Sequence, residues 1–272
     1  MLKSKLLPKF VPMSFDFLEL SKFNHLKYFD EPHKYFNTKG EEYVSATTFI
    51  KKFKKEFQTQ IMAEQYAQKR GLKVQDVIAD WDLKRDISTV KGTAVHNMAE
   101  NWWNNKAFPY DPTTAVKNFG HDIIKEKYDK CELLFKKFWA DASENLVPVK
   151  MELVVGDDEY GIAGMVDCLF WNKKSQWLEI WDYKTNKEIK TNNNYGNKML
   201  YPISHLDECE MNTYSLQLGL YKHIIMKNTN LKIGNSYLIW IHEANDNYKI
   251  MKCHDYEAEL KLMINHYLTN KK

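Results

Sequence analysis

Two aspartates and a lysine form the densest group of acid–base residues in this sequence. Asp167 ends the segment 164–167, and Asp182 and Lys184 stand on either side of Tyr183 in the next apolar run. Because side chains alternate along a β-strand, Asp182 and Lys184 share one face and Tyr183 faces the other way. If the two runs pair as a hairpin, Asp167 approaches Asp182. Two carboxylates suit a hard, oxygen-seeking cation such as Mg²⁺, and a nearby ammonium group can position or polarise a water molecule.

Two other segments place polar side chains at the spacing that shares one face of a helix. His96 and Glu100 have this i,i+4 spacing in the first segment, and Gln217 and Tyr221 have it in the second. Histidine adds a neutral ligand to a carboxylate site. Each feature also has an ordinary structural explanation: a packed helical histidine, a surface ion pair, or simple helix packing. The chemical interpretation therefore depends on how these segments combine.

The residues between these segments predict the elements that position them. Three runs rich in β-branched and aromatic residues predict an antiparallel meander over 147–155, 160–171 and 176–184. Short strands are predicted in 27–45 around a turn at Lys39-Gly40, and two later strands at 236–243 and 247–252. Helices are predicted in segments of 58–106 and over 122–142, 211–227 and 256–268. The expected fold class is α/β, with a central mixed sheet flanked by helices.

The domain organisation follows from the absence of a repeat or of a linker rich in proline or serine. We expect residues 1–272 to form a single domain. Within it, residues 1–142 are expected to supply N-terminal strands and a helical lobe that carries His96. Residues 143–272 are expected to supply the sheet core and the C-terminal helices.

In their order along the chain, four motifs resemble the RecB-like exonuclease branch of the PD-(D/E)XK nuclease superfamily. That branch includes phage exonucleases and the mitochondrial genome maintenance exonuclease. The motifs are G-T-x-x-H-x-x-x-E at 92–100, G-x-x-D at 164–167, D-Y-K-T at 182–185 and Q-x-x-x-Y at 217–221. The departure is small, since Val166 stands where the name of the signature has proline. The resemblance implies a restriction-endonuclease-like core with a central mixed sheet.

The resemblance also implies a metal site. His96, Asp167 and Asp182 would ligate one or two Mg²⁺ or Mn²⁺ ions, and the carbonyl oxygen of Tyr183 would complete the shell. Phosphodiester hydrolysis needs an activated water and relief of the charge that builds on the leaving oxygen, and bound metal ions provide both.

The remaining site roles are implied in the same way. Lys184 would act on the nucleophilic water or the phosphate, and Gln217 and Tyr221 would support the phosphate and this lysine. Glu100 would orient His96 or reach a metal-bound water. Glu152, on the first strand of the meander, is an additional candidate for the outer shell.

The charge balance suits sequence-neutral contact with DNA. The formal net charge is only +3, and Arg70 and Arg85 are the only arginines. The chain therefore has few residues that could recognise guanine through bidentate hydrogen bonds. Lysines can still neutralise phosphates without regard to sequence. Candidates for contact with the DNA backbone are hydroxyls near a predicted helix start, a hydroxyl after Lys184, and nearby cations. Helix capping and simple exposure to solvent also explain many residues of these types. They are Ser45, Thr47, Thr48, Lys51, Arg85, Thr185 and Lys187.

The function expected is therefore a metal-dependent DNA exonuclease that acts on single strands or free ends in DNA replication, recombination or repair. Replication or recombination proteins are its expected partners, and the oligomeric state is open. An endonuclease of the same fold and a catalytically inactive nucleic-acid-binding module remain alternatives. A pure binding module has no need of His96, Asp167, Asp182 and Lys184 together, which favours an enzyme.

Further expectations come from residue usage. Abundant lysine and asparagine with few arginines is typical of an AT-rich genome and indicates a phage protein acting in the cytoplasm of a bacterial host. The four cysteines lie far apart without a C-x-x-C pair, so we expect no iron–sulfur cluster. No apolar run approaches the ~20 residues of a membrane-spanning helix, so we expect no membrane partner.

Overall fold

The computed structural model of the chain describes residues 18–29, 32–103 and 121–270, with residues 121–124 described by their backbone alone. The helices in these ranges are α1 (Leu18–Ser21), α2 (Ala46–Lys51), α3 (Thr59–Arg70), α4 (Val74–Trp103), α5 (His121–Ala142), α6 (Glu210–Asn228) and α7 (Glu257–Asn270). The strands are β1 (Leu26–Phe29), β2 (Lys34–Asn37), β3 (Glu42–Ser45), β4 (Leu146–Asp157), β5 (Ile162–Asn172), β6 (Trp177–Lys184), β7 (Ile233–Trp240) and β8 (Lys249–Lys252).

The described strands form one mixed sheet of eight, which confirms the predicted α/β class. The order is β1-β2-β3-β5-β6-β7-β8, and β4 pairs with β5 outside this path. Strands β4, β5 and β6 form the predicted antiparallel meander. The β3–β5 and β6–β7 pairs are parallel. The N-terminal strands therefore belong to the same sheet as the meander.

Two apolar layers cover the sheet. Successive side chains of a strand point to opposite faces of the sheet, and here apolar side chains are buried on both faces. On one face, Ile180 packs in a cluster with residues of α2, α6 and α7, such as Phe49 and Leu216. On the other face, Tyr183 packs in a second cluster with residues of α4 and α5, such as Phe135. Phe135 is fully buried, and burying a side chain of this size stabilises a fold by about 1.5–3 kcal/mol. The sheet is thus enclosed by helices on both faces.

Local signals set the N-terminal elements as the sequence predicts. Gly40 adopts φ +80° in the turn between β2 and β3, a conformation that glycine adopts without steric cost. Ser45 caps α2, because its Oγ accepts a hydrogen bond of 3.1 Å from the backbone N–H of Thr48. Gly71 ends α3 in the left-handed conformation. In the part of the chain that the structure describes, no helix is long and apolar enough to cross a membrane.

A buried ion-pair group joins α4 to the β7–β8 connection and to α5. Lys91 of α4 is buried, and its Nζ lies 2.7 Å from Oε2 of Glu243. Lys127 of α5 lies 2.6 Å from the other oxygen of the same carboxylate. Burial alone would raise the pKa of Glu243, but the hydrogen bonds from Lys127 and Lys91 lower it to about 2. The group therefore fixes α4 one turn before His96.

Replacing Glu243 by Gln is expected to destabilise the fold by about 3 kcal/mol, because it leaves the Lys91 ammonium buried without its counter-charge. The folded-state pKa lies below that of an unfolded carboxyl, so this stabilisation is present above about pH 4.3 and is lost as the pH falls toward 2. Urea unfolding measured from pH 7 to pH 3 should show that the free energy of unfolding falls less on acidification in the variant than in the wild type.

The matched control is Glu132→Gln on α5. Glu132 pairs with Lys136 at 2.9 Å on a more exposed surface, and such i,i+4 pairs contribute roughly 0.3–0.5 kcal/mol. Equal losses for the two variants would contradict the anchoring role of Glu243.

Candidate active site

The candidate site lies where β3 and β6 leave a gap along one edge of β5. β3 pairs with β5 at Ile162 and Ala163, and β6 pairs with β5 from Cys168 onward. β4 occupies the other edge of β5 throughout. The segment 164–167, which carries the G-x-x-D motif, therefore lies between the two partner strands. The described strands therefore leave the backbone of this segment without a strand partner on this edge.

The backbone of Tyr183 connects the two motifs nearest to this gap. Its N–H donates to Oδ2 of Asp167 at 3.1 Å. Its carbonyl oxygen lies 3.2 Å from Nε2 of His96, and the other ring nitrogen of His96, Nδ1, lies 3.3 Å from Oδ2 of Asp167. The predicted approach of His96 to the β-strand aspartates is thus found for Asp167. The Tyr183 ring points into the α4–α5 layer, where its hydroxyl accepts a 3.2 Å hydrogen bond from Trp103.

Three side chains at the gap form a group that can hold a metal ion. One ligand atom from each of His96, Glu152 and Asp167 lies within 4.8 Å of the others. One imidazole nitrogen and two carboxylate oxygens form a donor set that fits Mg²⁺ or Mn²⁺. The residues present therefore fit the divalent metal that the sequence predicts, and the carbonyl of Tyr183 lies beside them.

Glu152 reaches this group through an irregularity in β4. The flanking pairs Met151–Cys168 and Leu153–Val166 place it directly across from Asp167. Its φ of +47° is uncommon for a residue with a side chain, and such conformations concentrate at functional sites. Burial raises the pKa of Glu152 to about 9, with further contributions from the charges of Asp167, Glu100 and Asp182. A divalent cation bound here would offset the repulsion between these carboxylates and favour the ionised form of Glu152.

Asp182 and Lys184 form an ion pair on the same face of β6, as strand alternation predicts. Burial raises the pKa of Asp182 to about 6 and Asp167 adds to the shift, while Lys184 opposes it. Burial alone would lower the pKa of Lys184, but the charges of Asp182 and Asp167 raise it above its usual value, so the side chain stays an ammonium. Its Nζ lies 4.6 Å from the ring centre of Tyr214. In this arrangement Asp182 contacts Lys184, and its role as a metal ligand stays a prediction.

The helix α6 covers the gap with Gln217 and Tyr221. Nε2 of Gln217 donates to the hydroxyl of Tyr221 at 2.9 Å. The Tyr221 ring lies against Gly164, where an added Cβ would be 2.3 Å from ring atom Cε1. Only glycine fits at position 164, which gives a physical reason for the first residue of the G-x-x-D motif. Gly92 has a milder constraint, with Oγ1 of Thr185 at 3.4 Å from an added Cβ.

An open cleft of about 610 Å³ exposes this group to solvent. Its walls contain candidate site residues from five separate segments of the chain, together with three ring side chains of β1, β2 and their connection. These lining residues include Ser45, Thr47, Gly92, His96, Glu100, Glu152, Asp167, Gln217, Tyr221, Tyr28, His33 and Tyr35. A volume of this size is within the range of small-molecule and cofactor sites.

The structure distributes the predicted DNA contacts unevenly. Ser45 and Thr47 line the cleft, while Thr48 and Lys51 lie at exposed positions of α2. Thr185 lies beside Gly92, and Lys187 is exposed in the segment that follows β6. Arg85 is not among the residues lining the cleft; it pairs with the exposed acids Asp82 and Asp86 of α4.

Sequence reasoning underrated Glu152 and did not identify the rings of the β1–β2 hairpin. The hairpin register places Glu152 across from Asp167, but its proximity to His96 depends on the packing of α4 against the sheet, which no local pattern specifies. The signal that could have identified these rings is the pair of short strands, β1 and β2, that the sequence places on either side of a connection. Pairing them by alternation would have placed Tyr28 opposite Tyr35, as observed.

Comparison with known proteins gives one family match. Residues 63–262 match the PD-(D/E)XK nuclease superfamily. No curated protein matches the chain. Among solved structures, the chain is similar to the crystal structure of a candidate exonuclease from Eubacterium rectale, with 10% sequence identity and a TM-score of 0.43. The similarity covers 68% of this chain and 65% of that one, so the chain spans less than two thirds of that protein's length.

The donor group generates a direct binding prediction. The wild-type protein should bind Mn²⁺ in titration calorimetry, and Glu152→Gln should weaken this binding by at least about tenfold. Loss of an outer-shell partner already costs roughly 10- to 100-fold in metal affinity, and removal of a direct ligand should cost no less. Glu159→Gln is the matched control, since Glu159 is exposed and pairs with Lys227 at 2.9 Å. Unchanged Mn²⁺ affinity in Glu152→Gln would rule out this cluster as the metal site.

Proposed function

Because the chain belongs to the PD-(D/E)XK nuclease superfamily, we propose that it is a DNA exonuclease that requires a divalent metal ion. The observation that carries the proposal is the donor group of His96, Glu152 and Asp167, whose ligand atoms lie within 4.8 Å of one another in an open cleft. The Asp182–Lys184 ion pair lies on the neighbouring strand. Together they provide metal ligands and a fixed cation at one place.

The chemistry assigns a separate task to each group. A bound divalent ion would activate a water molecule and offset charge on the phosphate. The backbone carbonyl and N–H of Tyr183 hold His96 and Asp167 for ligation. Lys184 keeps its charge and is directed by Asp182, so it can orient the attacking water or a phosphate oxygen.

Two further parts of the site support this arrangement. Gln217 and Tyr221 hydrogen-bond to each other on α6 and line the cleft, so they are proposed to contact the phosphate. Glu100 also lines the cleft, where it is proposed to orient His96 or to accept a hydrogen bond from a metal-bound water. These residues position the substrate or the ligands.

The proposed mode of action is degradation from free or single-stranded DNA ends. Only two arginines are available for reading base edges. Hydroxyls of Ser45 and Thr47 line the cleft, and Lys51, Thr185 and Lys187 are the proposed neighbours of the DNA backbone. We assign the enzyme to DNA replication, recombination or repair and, from its lysine- and asparagine-rich composition, to a phage acting in its host's cytoplasm.

The metal mechanism predicts that DNA degradation requires added Mg²⁺ or Mn²⁺ and stops in excess EDTA. Asp182→Asn preserves size but removes the charge that directs Lys184, so turnover should fall about a hundredfold or more while DNA binding stays largely intact. Degradation of labelled DNA and electrophoretic mobility shift measure the two properties separately.

Asp255→Asn is the control for this variant, because Asp255 is exposed and lies 3.8 Å from Lys222 outside the cleft. It should retain wild-type turnover. Undiminished cleavage in EDTA would disprove the metal mechanism, and wild-type rates in Asp182→Asn would discard the assigned role of that residue.

The exonuclease mode predicts that free ends are required. End-labelled linear DNA should lose label progressively, and covalently closed single-stranded circles of equal length should persist. Gel electrophoresis of both substrates in one reaction gives the comparison. If circles are cut as fast as linear strands, the protein is an endonuclease of the same fold.

A further inference from the structure

The rings of β1, β2 and their connection line the same cleft as the candidate metal ligands. Tyr28, His33 and Tyr35 share its lining with His96 and Asp167. We propose that these rings form a binding site for an unpaired nucleobase, so that the cleft selects single-stranded DNA or an unpaired DNA end. This inference rests on the proposed function, because it places the base of a nucleotide whose phosphate lies at the carboxylates.

The three rings form a series from the interior of the cleft to its surface. Tyr35 is buried, Tyr28 is half-buried and His33 is exposed. The ring centres of Tyr28 and Tyr35, which are direct cross-strand partners, lie 5.0 Å apart. Those of Tyr28 and His33 lie 5.9 Å apart. The interplanar angles of 37° and 34° give a tilted aromatic surface that continues outward from the sheet.

The inner end of this series lies close to the carboxylates. Burial raises the pKa of the Tyr35 hydroxyl, and the charges of Tyr28, Glu152 and Asp167 add to the shift. Tyr35 also raises the pKa of Tyr221, which covers Gly164. The aromatic series therefore begins beside the group that would hold the phosphate and ends at the opening of the cleft.

The outer rings are held in place before any ligand binds. The Tyr28 hydroxyl and Nδ1 of His33 form a hydrogen bond that links the two side chains. His33 has φ +53°, an uncommon conformation for a residue with a side chain, and such conformations concentrate at ligand sites. Fixing the rings in advance lowers the entropic cost of binding a planar ligand.

A nucleobase is the planar group that fits these observations. Stacking on aromatic side chains contributes about 1–3 kcal/mol per base and tolerates any sequence, because every base has a π-face. In a duplex both faces of an internal base are covered by its neighbours, so a protein ring reaches only an unpaired or terminal base. This selectivity requires no arginine, in agreement with the composition of the chain.

The same rings can instead serve only the fold, since cross-strand aromatic pairs stabilise β-hairpins. The two roles differ in one measurable respect. A base-binding role depends on the presence of the base in the DNA, whereas a fold role weakens all ligands alike. Substrates with and without bases therefore distinguish them.

The test measures binding of two labelled oligonucleotides of equal length by fluorescence anisotropy in Ca²⁺, with the integrity of the DNA checked on a gel. One is oligo-dT, and the other has abasic residues in its terminal positions. The wild-type protein should bind oligo-dT about five- to tenfold more tightly. The double variant Tyr28→Ala/His33→Ala should lose this preference and bind abasic DNA as the wild type does.

Two controls accompany the variant. Tyr28→Phe keeps the ring and should keep the preference. Phe29→Ala removes an exposed ring from the next position of β1, which pairs with Phe36 rather than with the cleft rings, and should change neither affinity. If the alanine variant has a lower melting temperature, Tyr28→Leu replaces it, because leucine retains apolar packing without a flat π-face.

Three outcomes decide between the interpretations. If the wild type binds both oligonucleotides equally, or if the variants lose equal affinity for both, the base-binding role is overturned. The rings then have a purely structural role. Hydrolysis of DNA in Mg²⁺ without a base preference overturns this inference alone. A base preference in a protein that hydrolyses no DNA supports the base site and rejects the proposed enzyme.

Discussion

The backbone of one residue, Tyr183, makes the contacts on which the site depends. Its N–H holds Asp167 of β5, and its carbonyl oxygen contacts His96 of α4. Backbone groups of a strand move only with their sheet, so these two contacts transfer the rigidity of β6 to side chains from two other elements. The buried ring of the same residue packs in the α4–α5 layer, and its hydroxyl accepts a hydrogen bond from Trp103. Displacing Tyr183 would therefore disturb the strand pairing and the donor group together.

The second feature of the site is its uncompensated charge. Burial raises the pKa values of Glu152 and Asp182, and the charge of Asp167 adds to both shifts. Lys184 is a cation whose pKa Asp182 and Asp167 raise in turn against the effect of burial. Clustered carboxylates repel each other in the absence of a cation, and this repulsion destabilises the folded chain. The irregular backbone at Glu152 adds to that cost. Surrounding apolar layers and the Lys91–Glu243–Lys127 group provide compensating stability.

Sequence reasoning predicted the elements well wherever hydrophobic periodicity was sustained. The strand predicted at 147–155 is Leu146–Asp157, and the helix predicted at 211–227 is Glu210–Asn228. The i,i+4 spacing likewise identified His96 as a neighbour of the strand aspartates. These successes share a cause, since alternation and helical spacing are local properties of the chain.

The remaining features depend on contacts between residues far apart in sequence. The parallel pairing of β3 with β5 joins Val44 to Ile162, and no local signal specifies such a partner. Glu152 lies near His96 only because α4 packs against the sheet, and the pairing of Lys91 with Glu243 requires three elements to pack together. Helical segments from 58–142 are expected to arch over the active face of the sheet and admit a strand from its end. This stays a prediction, since residues 104–120 lie outside the described ranges.

The parallel β3–β5 pair also has a consequence for the order in which the chain folds. During synthesis, β3 leaves the ribosome long before β5, its partner in the sheet. The N-terminal strands therefore cannot pair with the rest of the sheet until β5 has been synthesised. His96 is synthesised before Glu152 and Asp167, and Lys184 follows them. A nascent chain therefore carries no complete donor group until β5 has been synthesised, so the ribosomal RNA around it meets an unassembled site.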